Sequence, residues 1–172
     1  MGKLAKDEMR KLHASRRPAS STGIGERLIA LATELRVNVI ASYIPLATEP
    51  DVAEFNRWAI SRELLFPRIA GDDLAFASGE LLPGPFGLLE PNGRARDKSE
   101  IEFIVVPAMA ADLEGNRLGK GKGYYDRTLK DLNAIKVAAI FDGELVTKIP
   151  TESHDARVDY IVTPTKTIRV ES

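Results

Sequence analysis

The sequence predicts a single three-layer α/β/α sandwich built on a mostly parallel sheet. Three observations lead there. Strand-like and helix-like stretches alternate along the chain, the pattern of βαβ units. Residues 101–106 are the most apolar short run, as expected of a central parallel strand covered on both faces. The length, 172 residues, suits one domain with a sizeable core and no need of metal or disulfide staples, so we take 1–172 as one unit.

The elements follow in order. Residues 3–16 read as a charged helix with Leu4 and Leu12 at its few apolar positions. It ends before Pro18, because the residue preceding a proline is steered out of the helical region. Ser20, Ser21 and Thr22 offer N-caps to a second helix over 23–35, where Ile24, Leu28, Leu31, Ala32 and Leu35 recur at helical spacing. Residues 37–43 are a β-branched run stopped by Pro45, hence a buried strand. A helix over 52–63 and a strand over 64–69 come next, then a short edge strand over 73–78. Pro83, Gly84, Pro85, Gly87, Pro91 and Gly93 punctuate a long loop, of a length and rigidity often tied to function. After the central strand come a helix over 124–132 and strands over 136–141 and 160–163. No internal repeat is present. In such sheets ligands bind outside the carboxyl ends of the strands. The segments 43–49 and 112–125 both follow predicted strands, so they are expected to share one cleft.

Composition excludes several classes. There is no cysteine, so no disulfide, thiolate metal site or thiol nucleophile. Lys plus Arg number 24 against 25 Asp plus Glu, which argues against a broad basic surface for nucleic acid. No apolar run approaches the roughly twenty residues that cross a bilayer, and the first thirty residues hold no signal-peptide core. Lys6 at the sixth position rules out the myristoylation pattern. We expect a soluble, cytoplasmic monomer that binds small molecules and neither nucleic acid nor membrane. Positive charge does gather before Pro18, at Lys3, Lys6, Arg10, Lys11, Arg16 and Arg17. Such a segment is ordinarily a solvated helix face.

The segment Arg117-Leu118-Gly119-Lys120-Gly121-Lys122-Gly123-Tyr124-Tyr125-Asp126-Arg127 is the most informative in the chain. Glycines at a spacing of two can aim successive backbone N–H groups into one concavity, and such a nest binds anions. Lys120 and Lys122 add charge, and a helix starting at Tyr124 adds its N-terminal N–H groups and dipole. Asp126 then stands where a magnesium ion could bridge to phosphate. The spacing matches neither a P-loop nor a GxGxxG fingerprint. The plain alternative is a flexible basic loop.

Together with Tyr43-Ile44-Pro45 and Glu49-x-Asp51, Phe66-Pro67-Arg68, Gly84-Pro85-Phe86-Gly87-Leu88-Leu89-Glu90-Pro91, Val106-Pro107 and His154-Asp155-x-x-Val158-Asp159, this segment resembles the 5-formyltetrahydrofolate cyclo-ligase family, also called methenyltetrahydrofolate synthetase, over nearly the whole chain. The resemblance implies a Rossmann-like fold of the NagB, ribose-phosphate isomerase and CoA-transferase type. It implies ATP-dependent closure of 5-formyltetrahydrofolate to 5,10-methenyltetrahydrofolate, with ADP and phosphate released. It also assigns roles. Lys6 and Arg10, four apart on one helical face, look like the N-terminal pair that reaches ATP, with Arg117, Leu118, Gly119, Lys120, Gly121, Lys122, Gly123, Tyr124 and Tyr125 as the main ATP segment. Ile44 and Glu49 correspond to folate-binding positions, joined by Lys120, Gly121, Lys122, Gly123 and Tyr124. Lys120, Lys122 and Tyr124 would act in catalysis, and Asp126 and Asp155 would bind Mg2+. His154 reads as structural, and Trp58 as core or pocket wall. One departure is visible: the family has Ala-Phe-Asp where this chain has Ala110-Ala111-Asp112, which puts the local packing in question. Two other classes compete with this reading. One is a different enzyme of the same fold, for which Glu90 would be the nucleophile of a transferase. The other is a nucleotide- or RNA-binding module using the basic N-terminus.

Overall fold

The structure, a computed structural model, describes residues 2–18 and 20–171. Helices α1 (Gly2–Arg16) and α2 (Ile24–Glu34) precede β1 (Val39–Ala41), α3 (Ala53–Ala59), β2 (Glu63–Ala70) and β3 (Asp73–Ala77). A hairpin of β4 (Leu81–Pro83) and β5 (Leu89–Pro91) follows, then β6 (Phe103–Pro107) and a second, very short hairpin of β7 (Ala110–Ala111) and β8 (Arg117–Leu118). The chain ends with α4 (Tyr124–Leu129), β9 (Ile135–Ala139), β10 (Tyr160–Val162) and β11 (Thr167–Arg169).

The main sheet runs β11-β10-β9-β6-β1-β2-β3, parallel from β10 to β2 with antiparallel strands at both edges. Its centre is β6, whose Phe103, Ile104, Val105 and Val106 have no exposed surface. Alternation along the strand explains this. Phe103 and Val105 join the core beneath α2 and α3, with Ile24, Leu28, Val52 and Phe55. Ile104 and Val106 point to the opposite core, with Leu129 of α4. A strand buried on both faces must be apolar at every position. Each such side chain contributes about 1.5–3 kcal/mol on burial, so β6 anchors both layers.

Several boundaries differ from the sequence expectation. The strand expected over 37–43 pairs only as Val39–Ala41, because the chain turns away beyond Ser42 toward the cleft. The helix expected over 52–63 stops at Ala59, and β2 begins already at Glu63 beside Val39. The last helix ends at Leu129 rather than 132, its final turns tightening into Asp131 N–H to Thr128 O and Leu132 N–H to Leu129 O bonds. The region read as a long loop contains the β4–β5 hairpin, which Glu90 and Arg68 fasten to β2: Glu90 accepts the Ile69 N–H at 2.7 Å, and Arg68 donates to the Pro91 and Gly93 carbonyls. Strands β7, β8 and β11 were not expected at all. Trp58 packs on Phe55 at 5.7 Å under Arg62, against the α2–α3 core.

From β1 the chain moves to β2 and β3 on one side of the sheet, and later returns to β6 and goes on to β9 and β10 on the other. The crevice beyond the carboxyl ends of β1 and β6 is therefore a topological switch point, where open α/β sheets bind ligands.

Candidate functional site

A cleft of about 700 Å³ opens at that switch point. It gathers Lys6, Arg10, Ile44, Glu49, Arg117, Asp126 and Asp155 with the whole of Gly119–Tyr125. Leu118 alone of the expected set does not reach it. That side chain is fully buried with Met109, Ala110 and Ile149, and its carbonyl accepts the Met109 N–H. Alternation in β8 accounts for the difference, since neighbours in a strand face opposite ways.

One wall is the turn after β1. Tyr43 is buried, and its hydroxyl donates to the Pro50 carbonyl at 2.6 Å, so the two ends of the turn are tied together. Burial pushes its phenol well above the usual tyrosine range, with Glu49 adding to the rise, so it stays a donor at neutral pH. Between these ends the Glu49 N–H donates to Leu46 O at 3.0 Å, and the Leu46 N–H donates to Glu49 Oε1 at 2.9 Å. Glu49 is only 7 % exposed. Far from being a solvated acid, it closes its own turn with one oxygen and points the other, Oε2, at Lys120 Nζ, 3.3 Å away.

The opposite wall is the glycine loop. Gly121 and Gly123 have φ of 104° and 76°, the left-handed region that glycine alone enters freely. At Gly119 the reason for glycine is proximity instead: a Cβ there would sit 3.0 Å from the Arg117 guanidinium. Arg117 is buried beneath the loop, donating to Pro107 O at 2.9 Å and to Asp126 Oδ1 at 3.4 Å, its Nε lacking a partner among the described residues. It braces the loop and aims Asp126, whose Oδ1 also accepts the Ala156 N–H at 3.3 Å. Tyr125 lies 5.7 Å from the same guanidinium. Burial raises its phenol far above the usual range, against the lowering by Arg117. Tyr124 faces the cleft with Arg127 stacked 5.3 Å from its ring centre. Lys122 rests 4.2 Å above the ring of Phe86, a mostly exposed residue at φ 59° on the tip of the β4–β5 hairpin.

Helix α1 forms the roof. Arg10 donates through Nε to Gly119 O at 2.7 Å and pairs with Asp7. Lys6 is 6 % exposed, and its ammonium contacts Asp155 Oδ2 and, at 3.2 Å, Glu152 Oε1. Burial alone would raise the Asp155 carboxyl, but the Lys6 hydrogen bond, the Glu152 N–H and the Lys6 charge outweigh it and hold the carboxyl below its ordinary value. His154 is exposed, 3.6 Å from Asp155 Oδ1. A third N-terminal cation, Arg17, has a fixed partner that sequence reasoning missed. It forms a buried pair with Glu144 at 2.9 Å and donates to the Ala108 and Thr48 carbonyls. In a run of basic residues nothing in the sequence distinguishes it from its neighbours.

The cleft thus balances cations against acids: Lys6 with Asp155, Arg10 with Asp7, Arg117 with Asp126, Lys120 with Glu49. No group of three or more acidic or imidazole side chains capable of holding a metal on its own occurs among the described residues. Asp126 and Asp155 each keep one carboxylate oxygen that takes no hydrogen bond from a described residue. That donor set fits magnesium, which typically takes one or two carboxylates together with substrate phosphates and water.

A family model described as 5-formyltetrahydrofolate cyclo-ligase matches residues 3–164. The chain belongs to that family. A 5-formyltetrahydrofolate cyclo-ligase of Mycolicibacterium smegmatis is 32% identical over 165 residues, covering 85% of this chain and 84% of the relative. The Escherichia coli K12 protein of the same name is 30% identical over 134 residues, 70% and 72% of the two chains. The solution structure of Aquifex aeolicus 5,10-methenyltetrahydrofolate synthetase superposes with a TM-score of 0.82 at 29% identity, over 97% of this chain and 93% of that one. Family membership confirms the enzyme class read from the motifs. It also removes the transferase alternative, whose candidate nucleophile Glu90 is committed to the edge of β2.

Against that family the departure at Ala111 is absorbed by packing. Ala111 is fully buried in the main core and bridges to Leu145. The following Asp112 accepts N–H groups from Glu114, Asn116 and Ile149 together with the Asn116 side chain, which fixes the β7–β8 hairpin that leads into the glycine loop.

Proposed function

We propose that the protein closes 5-formyltetrahydrofolate to 5,10-methenyltetrahydrofolate with ATP as co-substrate and Mg2+ bound, releasing ADP and phosphate. The observation that supports this most is the meeting of the turn bearing Glu49 and the glycine-lysine loop at 3.3 Å across one cleft, since the reaction must hold a pterin beside a triphosphate. An N-formyl amide is a poor electrophile. Transfer of the γ-phosphoryl group to the formyl oxygen turns it into an iminium phosphate, which N10 attacks before phosphate departs. The protein's work is then positioning and charge neutralisation.

In this reading Arg10, Lys6, Lys120, Lys122 and the N–H groups of the glycine loop hold the phosphates. Glu49 accepts hydrogen bonds from the pterin beside Ile44, an acid-to-donor pairing of the strong, charge-assisted kind. Tyr124 provides an aromatic wall. Asp126 and Asp155 would hold Mg2+, which supplies neutralisation of the developing phosphate charge. Lys6 must then share Asp155 with the metal or move to the phosphates. The enzyme so read is a cytoplasmic monomer acting on small molecules. No described helix is long and apolar enough to cross a membrane.

The route of the oxygen tests the chemistry. With 18O in the formyl group, the released phosphate should carry the label, one ADP appearing per methenyl product. Label found in water instead would rule out phosphorylation of the formyl oxygen.

A further inference from the structure

We infer that Asn56 is a positioning residue for the folate substrate: from α3 its Nδ2 donates to the Tyr43 carbonyl at 2.9 Å and so sets the direction of the turn that presents Ile44 and Glu49 to the cleft. This rests on the reading that the turn holds folate. Asn56 does not line the cleft, and it is buried among the apolar residues of α3, with Phe55 and Ala59. Its Oδ1 has no partner among the described residues. A buried acceptor left unpaired is a cost, so packing alone favours an apolar side chain here. What the amide supplies is its N–H. The Tyr43 carbonyl lies beyond the end of β1 and takes no backbone donor among the described residues, yet a buried carbonyl needs one. Of the other bonds of the turn, Tyr43 to Pro50 and Leu46 to Glu49 close it upon itself, while Arg17 holds only the Thr48 carbonyl near its far end. Asn56 ties the first residue of the turn to the rigid α3 layer. A rotation of that peptide would swing Ile44 and Glu49 together, and displacements of about 1 Å are enough to cost much of a rate.

The test compares Asn56→Leu and Asn56→Asp with Glu49→Gln, measuring KM for each substrate, kcat and thermal midpoint, well below the midpoint itself. The folate KM should rise about tenfold in both Asn56 variants while the ATP KM stays within about twofold. In Asn56→Asp the penalty relative to the wild type should shrink as pH falls, because the introduced carboxyl, raised by burial, donates again once protonated. A structural role alone would lower the midpoint and leave the two KM values unsplit. If Asn56→Leu does not fold, the isosteric Asn56→Asp gives the answer. A folate KM unchanged in the Asn56 variants but raised by Glu49→Gln would overturn the inference. If Glu49→Gln leaves it unchanged as well, the assignment of the turn to folate falls first and the inference with it.

Discussion

Glu49 Oε2 stands 3.3 Å from Lys120 Nζ, so the turn after β1 and the glycine loop, 71 residues apart in the chain, meet in an ion pair. Glu49 is buried and Lys120 is half exposed, which makes Lys120 the partner free to move. A phosphate arriving at the loop would draw the ammonium away and leave Glu49 open to the donors of a pterin.

The first prediction follows from that pair. Glu49→Gln removes a charge-assisted acceptor worth on the order of 1.5–3 kcal/mol, so kcat/KM for the folate should fall roughly ten- to a hundredfold. The same change frees Lys120, so the KM for ATP should stay level or drop by up to about threefold. Titration of each substrate against both proteins measures this. Equal losses for both would mean that Glu49 serves only to hold the loop.

The N-terminal helix gives the second. Arg10→Ala removes the bond to Gly119 O and a positive charge over the nest, and should raise the KM for ATP by about tenfold with the folate KM unchanged. Deleting residues 1–12 should lower the melting temperature, because Lys6 is buried on Asp155 and Met9 packs against the core of Met109, Leu118 and Ile149. A melt unaltered by the deletion would show that the roof is not docked.

Asp155 supplies a dependence on pH. Its carboxyl is held below its ordinary value in the folded protein, so the stability it contributes is present above the unfolded carboxylate pKa of about 4 and is lost as pH falls through the folded value. The difference in melting temperature between wild type and Asp155→Asn should therefore close up as pH falls below about 4. A difference that stays open in acid would contradict the Lys6 contact.

At Gly123 the backbone itself is under test. Its φ of 76° suits glycine, whereas the Arg127 guanidinium near an added Cβ is the movable end of a long side chain. Strain therefore dominates, at about 1–2 kcal/mol for a residue forced into the left-handed region. For a chain of this size Gly123→Ala should lower the melting temperature by about 2–8 °C. A larger loss in kcat/KM for ATP than for the folate would tie the strain to the nest.

Much of this was legible in the chain, and the physics of the exceptions is specific. Of the stretch read as the central strand, Phe103 to Val106 announced double covering, because burial on both faces leaves no room for alternation, while Glu102 before them is exposed and outside the strand. Ile24, Leu28 and Leu31 announced α2 because their spacing follows the helical turn. The β4–β5 hairpin stayed hidden because its strands are three residues long and flanked by proline and glycine, so turn signals swamped the pattern. At the site, the glycines and lysines of 119–123 were readable because that order has no use in packing. Asn56 and Arg17 were not, since an amide on a helix and one arginine among several carry no local sign of the carbonyls they hold.

The most direct test of the whole account is formation of the methenyl chromophore by purified protein given 5-formyltetrahydrofolate, ATP and Mg2+, with each component omitted in turn and with EDTA added. The absorbance should rise only in the complete mixture, vanish with EDTA and return with excess Mg2+. A full rate without ATP or in the presence of EDTA, or no product from the complete mixture, would contradict it.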